Sequence, residues 1–277
     1  GAMAWGVQML LATRVLEGLG FLVVTVAAPS LIVALAHPGD RGPAMAVWGT
    51  FMPVGMTLVL VVAPLLPLVG WRGFWLLNAG LLLGYAALLA TVLQDQREPD
   101  RSGRNLADDL RNTLAHRGPW LLFGLFATFA AAFFAVFGFL PGLLAQRLAI
   151  GPEEASLLAG IAVAANVVGN LLCGLLLARG LRSLILLVGF SAMALLGFGI
   201  LSEGVPGGAV FGLSLLVSAI SGLIPVALFD AAPHHAPRSD LVGATVGFMM
   251  QGNNVGLLLG PATAGALAAA AGWPAVA

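Results

Sequence analysis

Eight apolar stretches, each long enough to cross a bilayer as a helix, divide this chain almost from end to end. They are residues 15–36, 44–69, 73–93, 120–146, 155–178, 181–201, 207–229 and 241–271. A spanning helix needs ~20 mostly apolar residues. Backbone groups inside lipid must be satisfied within the protein, which restricts such runs to helices or closed barrels. Continuous apolar runs, without the two-residue alternation of barrel strands, point to helices. The expectation is an all-α integral membrane protein with about eight transmembrane helices. Composition agrees: 60% of residues are hydrophobic and 9% charged, against about 25% charged in soluble domains. The formal net charge of zero argues against a nucleic-acid partner. The bilayer is the expected surrounding, and a monomer the expected state.

The joints between stretches are short and polar. HPGDRGP (37–43) and PHHAPRSD (233–240) read as turns, GWR (70–72) as a tighter one, and LSEGVPGG (201–208) as a glycine-proline turn. Residues 1–12 read as the tail of an earlier segment plus a tight turn. The segment 94–118 is the long connection, with Arg97, Arg101, Arg104, Arg111 and Arg117 among its charges. Within it Leu106, Leu110 and Leu114 recur every four residues, which predicts either a short amphipathic helix over 105–116 lying on the membrane or a solvated linker. All basic residues are arginines, and their placement orients the chain. Counting alternate loops, Arg41, those five, Arg179, Arg182 and Arg238 fall on one side, and only Arg72 and Arg147 on the other. Basic loops stay inside, so 94–118 is expected in the cytoplasm of a multi-pass protein of the cell membrane.

The chain also resembles itself. Pro29 matches Pro225, Pro38 matches Pro237, Gly55 matches Gly256, and Gly70-Trp71 matches Gly272-Trp273, in order and at nearly constant spacing. A parallel repeat of ~200 residues is the architecture of transporters built from two six-helix halves. Residues 1–93 would then be the remainder of an N-terminal half, 94–118 the inter-half loop, and 119–277 a C-terminal half reaching the start of its last helix. The same spacing predicts that roughly 75 to 80 residues precede Gly1 in the whole protein. A complete five-plus-five transporter would instead repeat near half the chain length.

Several polar groups lie inside the apolar stretches. Arg14 and Glu17 are three residues apart and share a helix face. Intramembrane charges are costly and face a bundle interior or a wet cavity. Gly18 and Gly20 beside them are expected to admit a neighbouring helix closely. Asn166 and Asn170 share one face, as do Gln251 and Asn254, with Asn253 between the latter two. Arg14, Glu17, Trp48, Asn166, Asn170, Gln251 and Asn254 are candidates for a substrate pathway, the alternatives being helix-to-helix glue for the amides and a static ion pair for the charges. Asn78 stands alone and reads as glue. Phe51, Met52 and the stripe Phe129, Phe133, Phe134 and Phe137 could add an aromatic wall, and Pro29, Pro53, Pro141, Pro225 and Pro261 could kink their helices near a cavity. Asp230, His234 and His235 read as a solvated turn in preference to a metal site. The single cysteine, Cys173, excludes an intrachain disulfide. No Ser-His-Asp set, P-loop or dinucleotide glycine pattern occurs, so no cofactor is expected. A membrane-embedded enzyme would cluster acids or histidines at one interface, and the carboxylates here are scattered.

The stretch RVLEGLG, with Arg14, Gly18 and Gly20, resembles the fourth-helix motif of the major facilitator superfamily. DRGPAMAVWGTFMPVGM…APLLPLVGWR resembles that superfamily's fifth helices. WGTFMPVG with GWRGFWLLNAG, and GLIPVALF followed by VGATVGFMMQGNNVGLLLGP, are similar to its cyanate and nitroimidazole branch. The resemblance implies a twelve-helix bundle, here partial, and secondary active transport of a small organic solute or anion, coupled to protons. It implies that Arg14 is a counter-charge and that the chain is truncated at both ends. Met52-Pro53-Val54-Gly55-Met56 departs from the glycine-rich fifth-helix signature of antiporters, which argues against drug/proton antiport.

Overall fold

A computed structural model describes residues 1–37, 40–92 and 106–276. Twelve helices follow one another among the described residues: α1 (Val7–Leu35), α2 (Arg41–Gly49), α3 (Phe51–Val62), α4 (Leu66–Val92), α5 (Leu106–Leu114), α6 (Arg117–Phe137), α7 (Leu140–Leu148), α8 (Pro152–Leu177), α9 (Arg182–Leu201), α10 (Gly207–Ser221), α11 (Leu223–His235) and α12 (Val242–Ala271). Seven described segments are long and apolar enough to cross a membrane. One of them, Val47–Val92, covers two of the eight expected stretches in 46 residues. At 1.5 Å per residue that length suffices for two crossings. The expected tight turn at 70–72 is instead a break within α4, where Gly70 alone leaves helical geometry (φ 71°, ψ 157°).

Prolines explain why more helices exist than crossings. A proline lacks the N–H that would bond the carbonyl four residues earlier, and its ring presses on that carbonyl. Pro53, Pro141 and Pro225 lie four residues after Gly49, Phe137 and Ser221, which are the last residues of α2, α6 and α10. Each pair α2–α3, α6–α7 and α10–α11 is therefore one apolar run broken by its proline. Pro261 does not break α12.

The buried core belongs to α6 through α12. Phe137, Leu140, Ile200, Ile224 and Met249 are among its fully enclosed side chains. The most extensive helix pair is α6 with α12. A methyl group built on Gly252, Gly256 or Gly260 would overlap the carbonyl oxygens of Phe123, Ala127 and Ala131 respectively. Both series advance by four residues in the same sense, so α6 and α12 run parallel with backbones in contact, the small-residue packing that lipid-embedded helices use. By contrast α4 buries no residue, and Leu81, Leu82 and Leu83 are two-thirds or more exposed. Such faces suit hydrocarbon, not water.

Contacts sort the turns into two ends of the bundle. At one end Arg147 donates to the carbonyls of Glu203 (2.7 Å), Ser202 (2.9 Å) and Val205 (3.3 Å), and Phe139 meets Trp273 with ring centres 5.3 Å apart. At the other end Arg182 pairs with Asp230, its Nε donating at 2.6 Å, and Gly118 abuts the backbone of His235. Asp230 is thus held by an arginine, and among the described residues no cluster of three metal-ligating side chains forms.

Several local expectations change. α1 begins at Val7, because VQMLLA contains no helix breaker and Gly6 marks the start. Arg14 therefore sits two turns inside the helix, and only residues before it form a turn. Gly18 and Gly20 have no atom within 4 Å of where a Cβ would stand, so no neighbouring helix approaches them. The close approaches fall on Gly252, Gly256 and Gly260, and on Gly169 against Ala219. Asn78 bonds its own helix at the Phe74 carbonyl (2.8 Å) and glues nothing. The polar turn at 233–240 is shorter than expected, since α11 continues through His235. The amphipathic helix of the long connection is α5. Of its expected stripe Leu110 and Leu114 are exposed, and the side chain of Leu106 lies outside the described residues, as do the side chain of Pro29 and residues 93–105.

Candidate functional site: a cavity between two groups of helices

Two of the three proline breaks, at Pro53 and Pro225, border one cavity of about 370 Å³. On one side it is bounded by Phe21 of α1, Gly49 of α2 and Phe51, Met52, Pro53, Gly55 and Met56 of α3. On the other stand Phe126, Phe129, Phe133 and Phe134 of α6, Asn166 of α8, Pro225 and Phe229 of α11, and Met250 and Asn253 of α12. Its size falls within the range of small-molecule sites. The wall contains no charged residue and two polar side chains, Asn166 and Asn253.

The aromatic wall follows from helical spacing. Phe126, Phe129 and Phe133 recur every three or four residues, so α6 presents them on one face. Their centres stand 5.9 Å and 5.8 Å apart in sequence, and Phe126 meets Phe229 edge-on at 6.0 Å. From the expected stripe, Phe129, Phe133 and Phe134 reach the cavity, whereas Phe137 is enclosed in the core. Opposite, Phe51 lines the cavity and stacks on Trp48 at 4.7 Å. Trp48 is thus one ring behind the wall, with its indole N–H buried and unpartnered.

Asn166 and Asn170 are brought together. Asn166 Nδ2 donates to the Ser218 carbonyl and to Ser221 Oγ, each at 3.0 Å. Asn170 Nδ2 donates to Asn166 Oδ1 at 2.7 Å and to the Asn166 carbonyl at 3.0 Å. Ser218 Oγ returns a bond to the Val163 carbonyl at 3.3 Å. The network ties α8 to α10, and Asn166 also touches the cavity. Asn170 lies behind it, its Oδ1 unpartnered and facing Gly49.

Gln251 and Asn254 are half-buried and face each other, Asn254 Nδ2 lying 3.5 Å from Gln251 Oε1. The wall residue between them is Asn253. The sequence held a signal for it: the glycines 252, 256 and 260 mark the side of α12 against α6, and Asn253 is next to that stripe.

Arg14 and Glu17 form an ion pair on α1. The Arg14 guanidinium carbon lies 4.8 Å from the centre of the Trp75 ring, a cation–π contact that ties α1 to α4. Glu17 and Phe21 are four residues apart and Arg14 and Phe21 seven, so all three share one helix face. The pair therefore sits about 6 to 10 Å along the axis from Phe21 of the cavity wall, not in it.

A bundle of membrane-length helices around an apolar cavity, with charges beside it and not within it, defines a membrane protein with room for a small molecule between its helices. The profile of the Major Facilitator Superfamily matches residues 1–250. The chain belongs to that superfamily, whose members are transporters and not enzymes. It is thus a multi-pass membrane protein of a secondary transport family handling small solutes. No match was found among curated proteins.

Proposed function

We propose that the chain carries a small organic solute across the cell membrane by alternating access around the 370 Å³ cavity. The cavity's position carries the reading, because its two walls come from α1–α3 and from α6, α8, α11 and α12. These groups correspond to the two halves expected from the repeat, 1–93 and 119–277, with 94–118 as a cytoplasmic connection. A further observation supports that division. Gly70 (φ 71°, ψ 157°) and Gly272 (φ 80°, ψ 172°), the glycines of the matched Gly-Trp pairs, share a backbone geometry open almost only to glycine.

Of the two solute classes, the organic molecule is favoured over the anion. An ion stripped of water without a partner costs several kcal/mol, and the cavity wall offers no counter-charge. Arg14 is engaged with Glu17 and Trp75. Its role in this reading is coupling: protonation of Glu17 removes the partner of Arg14 one helical turn from Phe21, and frees α1 to shift. The proton gradient would then drive the cycle.

The test needs no known solute. With Cys173→Ser removing the only native thiol, Met52→Cys places one thiol on the cavity wall. In sealed proteoliposomes a membrane-impermeant maleimide is expected to label it from either side. Labelling from one side only would contradict alternating access. A pH gradient is expected to bias which side labels, and Glu17→Gln to abolish that bias while two-sided labelling persists; a bias unchanged by Glu17→Gln would remove the coupling role.

A further inference from the structure

The polar groups of the cavity specify more than an apolar guest. Asn166 lines it, but both of its N–H donors are committed, to the Ser218 carbonyl and Ser221 Oγ. It can offer the cavity only acceptor capacity. Asn253 is different. It is 5% exposed, lines the same cavity, and its amide makes no hydrogen bond with any described residue. A carboxamide carries two donors and an acceptor side by side. Neither its Oδ1 nor its Nδ2 is among the sealed, unpartnered polar atoms, so the amide opens onto the cavity, where a guest can pair with it. The rest of the wall is Phe51, Phe126, Phe129, Phe133, Phe134 and Phe229, rings that favour stacked or edge-on aromatic partners. The volume is roughly two and a half times that of an apolar cavity able to hold one benzene, which fits one or two fused rings.

Resting on the cavity being the solute site, we infer that the solute is an uncharged one- or two-ring aromatic molecule bearing a carboxamide or lactam. Its adjacent acceptor and N–H pair with the amide of Asn253, while its rings lie among the phenylalanines of α3, α6 and α11. A carboxylate of the same shape is excluded twice: it cannot donate, and it brings an unpaired charge.

The probes are 2-naphthamide and 2-naphthoate, which share a skeleton and differ in donor and charge. Saturable binding to the full chain in lipid nanodiscs is measured by equilibrium dialysis. The background is Gly55→Leu, which sends a side chain from the cavity wall into open space, since no atom lies within 4 Å of its Cβ position. Expected are saturable binding of 2-naphthamide, its absence in Gly55→Leu, about tenfold weaker binding in Asn253→Leu, and no saturable binding of 2-naphthoate. If Asn253→Leu fails to fold, Asn253→Ala carries the same expectation. Equal or tighter binding of 2-naphthoate, affinity for 2-naphthamide unchanged by the Asn253 variants, or no saturable binding of 2-naphthamide would each overturn the inference. The Met52→Cys labelling separates the two failures: two-sided labelling with any of these results keeps the transport reading and removes the solute class, and one-sided labelling removes both.

Discussion

Single residues divide here into those that hold helices together and those that leave room. Asn166 belongs to the first kind. Its amide serves three partners, and its loss would leave one Asn170 N–H without its Oδ1 acceptor in a buried interface. Interhelical hydrogen bonds in bilayers average only ~0.6 kcal/mol, but orphaned buried groups cost about 1–3 kcal/mol, and the second effect decides. Asn166→Leu is therefore expected to destabilise the protein by about 1–3 kcal/mol, seen as an earlier thermal transition in detergent, and an unchanged transition would deny the network a structural role. Glycines give the sharper contrast. Gly256→Val drives a branched side chain into the Ala127 carbonyl, so α6 and α12 must separate; loss of monodisperse protein is expected. Gly18→Ala and Gly20→Ala meet nothing and exchange a poor helix former for a good one, a gain of roughly 0.5–1 kcal/mol each. Here sequence reading and structure part. Two glycines beside a charged pair look like a packing seam, and so do three glycines spaced by four. Only the partner helix tells them apart, because a glycine's effect depends on what occupies the space its side chain would fill. The same holds at the cavity: Asn166 was legible as a buried polar group on an apolar helix, whereas the choice of Asn253 over its neighbours Gln251 and Asn254 turns on the roll of α12 against α6.

Elements were legible in outline because bilayer thickness sets their length. Their breaks were legible only in part. Of Pro29, Pro53, Pro141, Pro225 and Pro261, three end a helix. Pro261 does not, since the turn it would break, 257–261, is held against α6 by the contacts of Gly256 and Gly260. A local preference of ~3 kcal/mol against proline is overridden where a neighbouring backbone fixes the path. The Gly-Trp joints belong to this scale too. At Gly70 and Gly272 the backbone occupies a region that costs other residues of order 1–3 kcal/mol. Gly70→Ala and Gly272→Ala should each lower stability by that amount, measured by thermal unfolding. If only one of them does, the geometric correspondence between the two joints is not a shared structural requirement. The turn at 202–205 depends on Arg147, whose guanidinium serves three of its carbonyls. Arg147→Lys cannot reproduce that fork and is expected to speed proteolysis of this turn.

At the scale of the molecule, two helix groups meet across an apolar cavity and are sewn together beside it by few polar contacts. Ser156 Oγ donates to the Leu60 carbonyl at 2.9 Å and Thr57 Oγ1 to the Gly160 carbonyl at 3.4 Å. Both join α3 to α8. Such a seam suits parts that separate and rejoin. A pair of cysteines at Leu60 and Gly160 would have Cβ atoms 3.4 Å apart, near the spacing a disulfide needs, so in the Cys173→Ser background oxidation should hold the seam shut and reduction release it. The most direct test of rocking is a distance. Spin labels at Val59 of α3 and Leu157 of α8, both exposed, report the separation of the two groups across that seam in lipid. The account predicts two populations of distance whose ratio changes with pH, and which collapse to the shorter one in the oxidised Leu60→Cys/Gly160→Cys protein. A single narrow distance, unmoved by pH and by the disulfide, would contradict it.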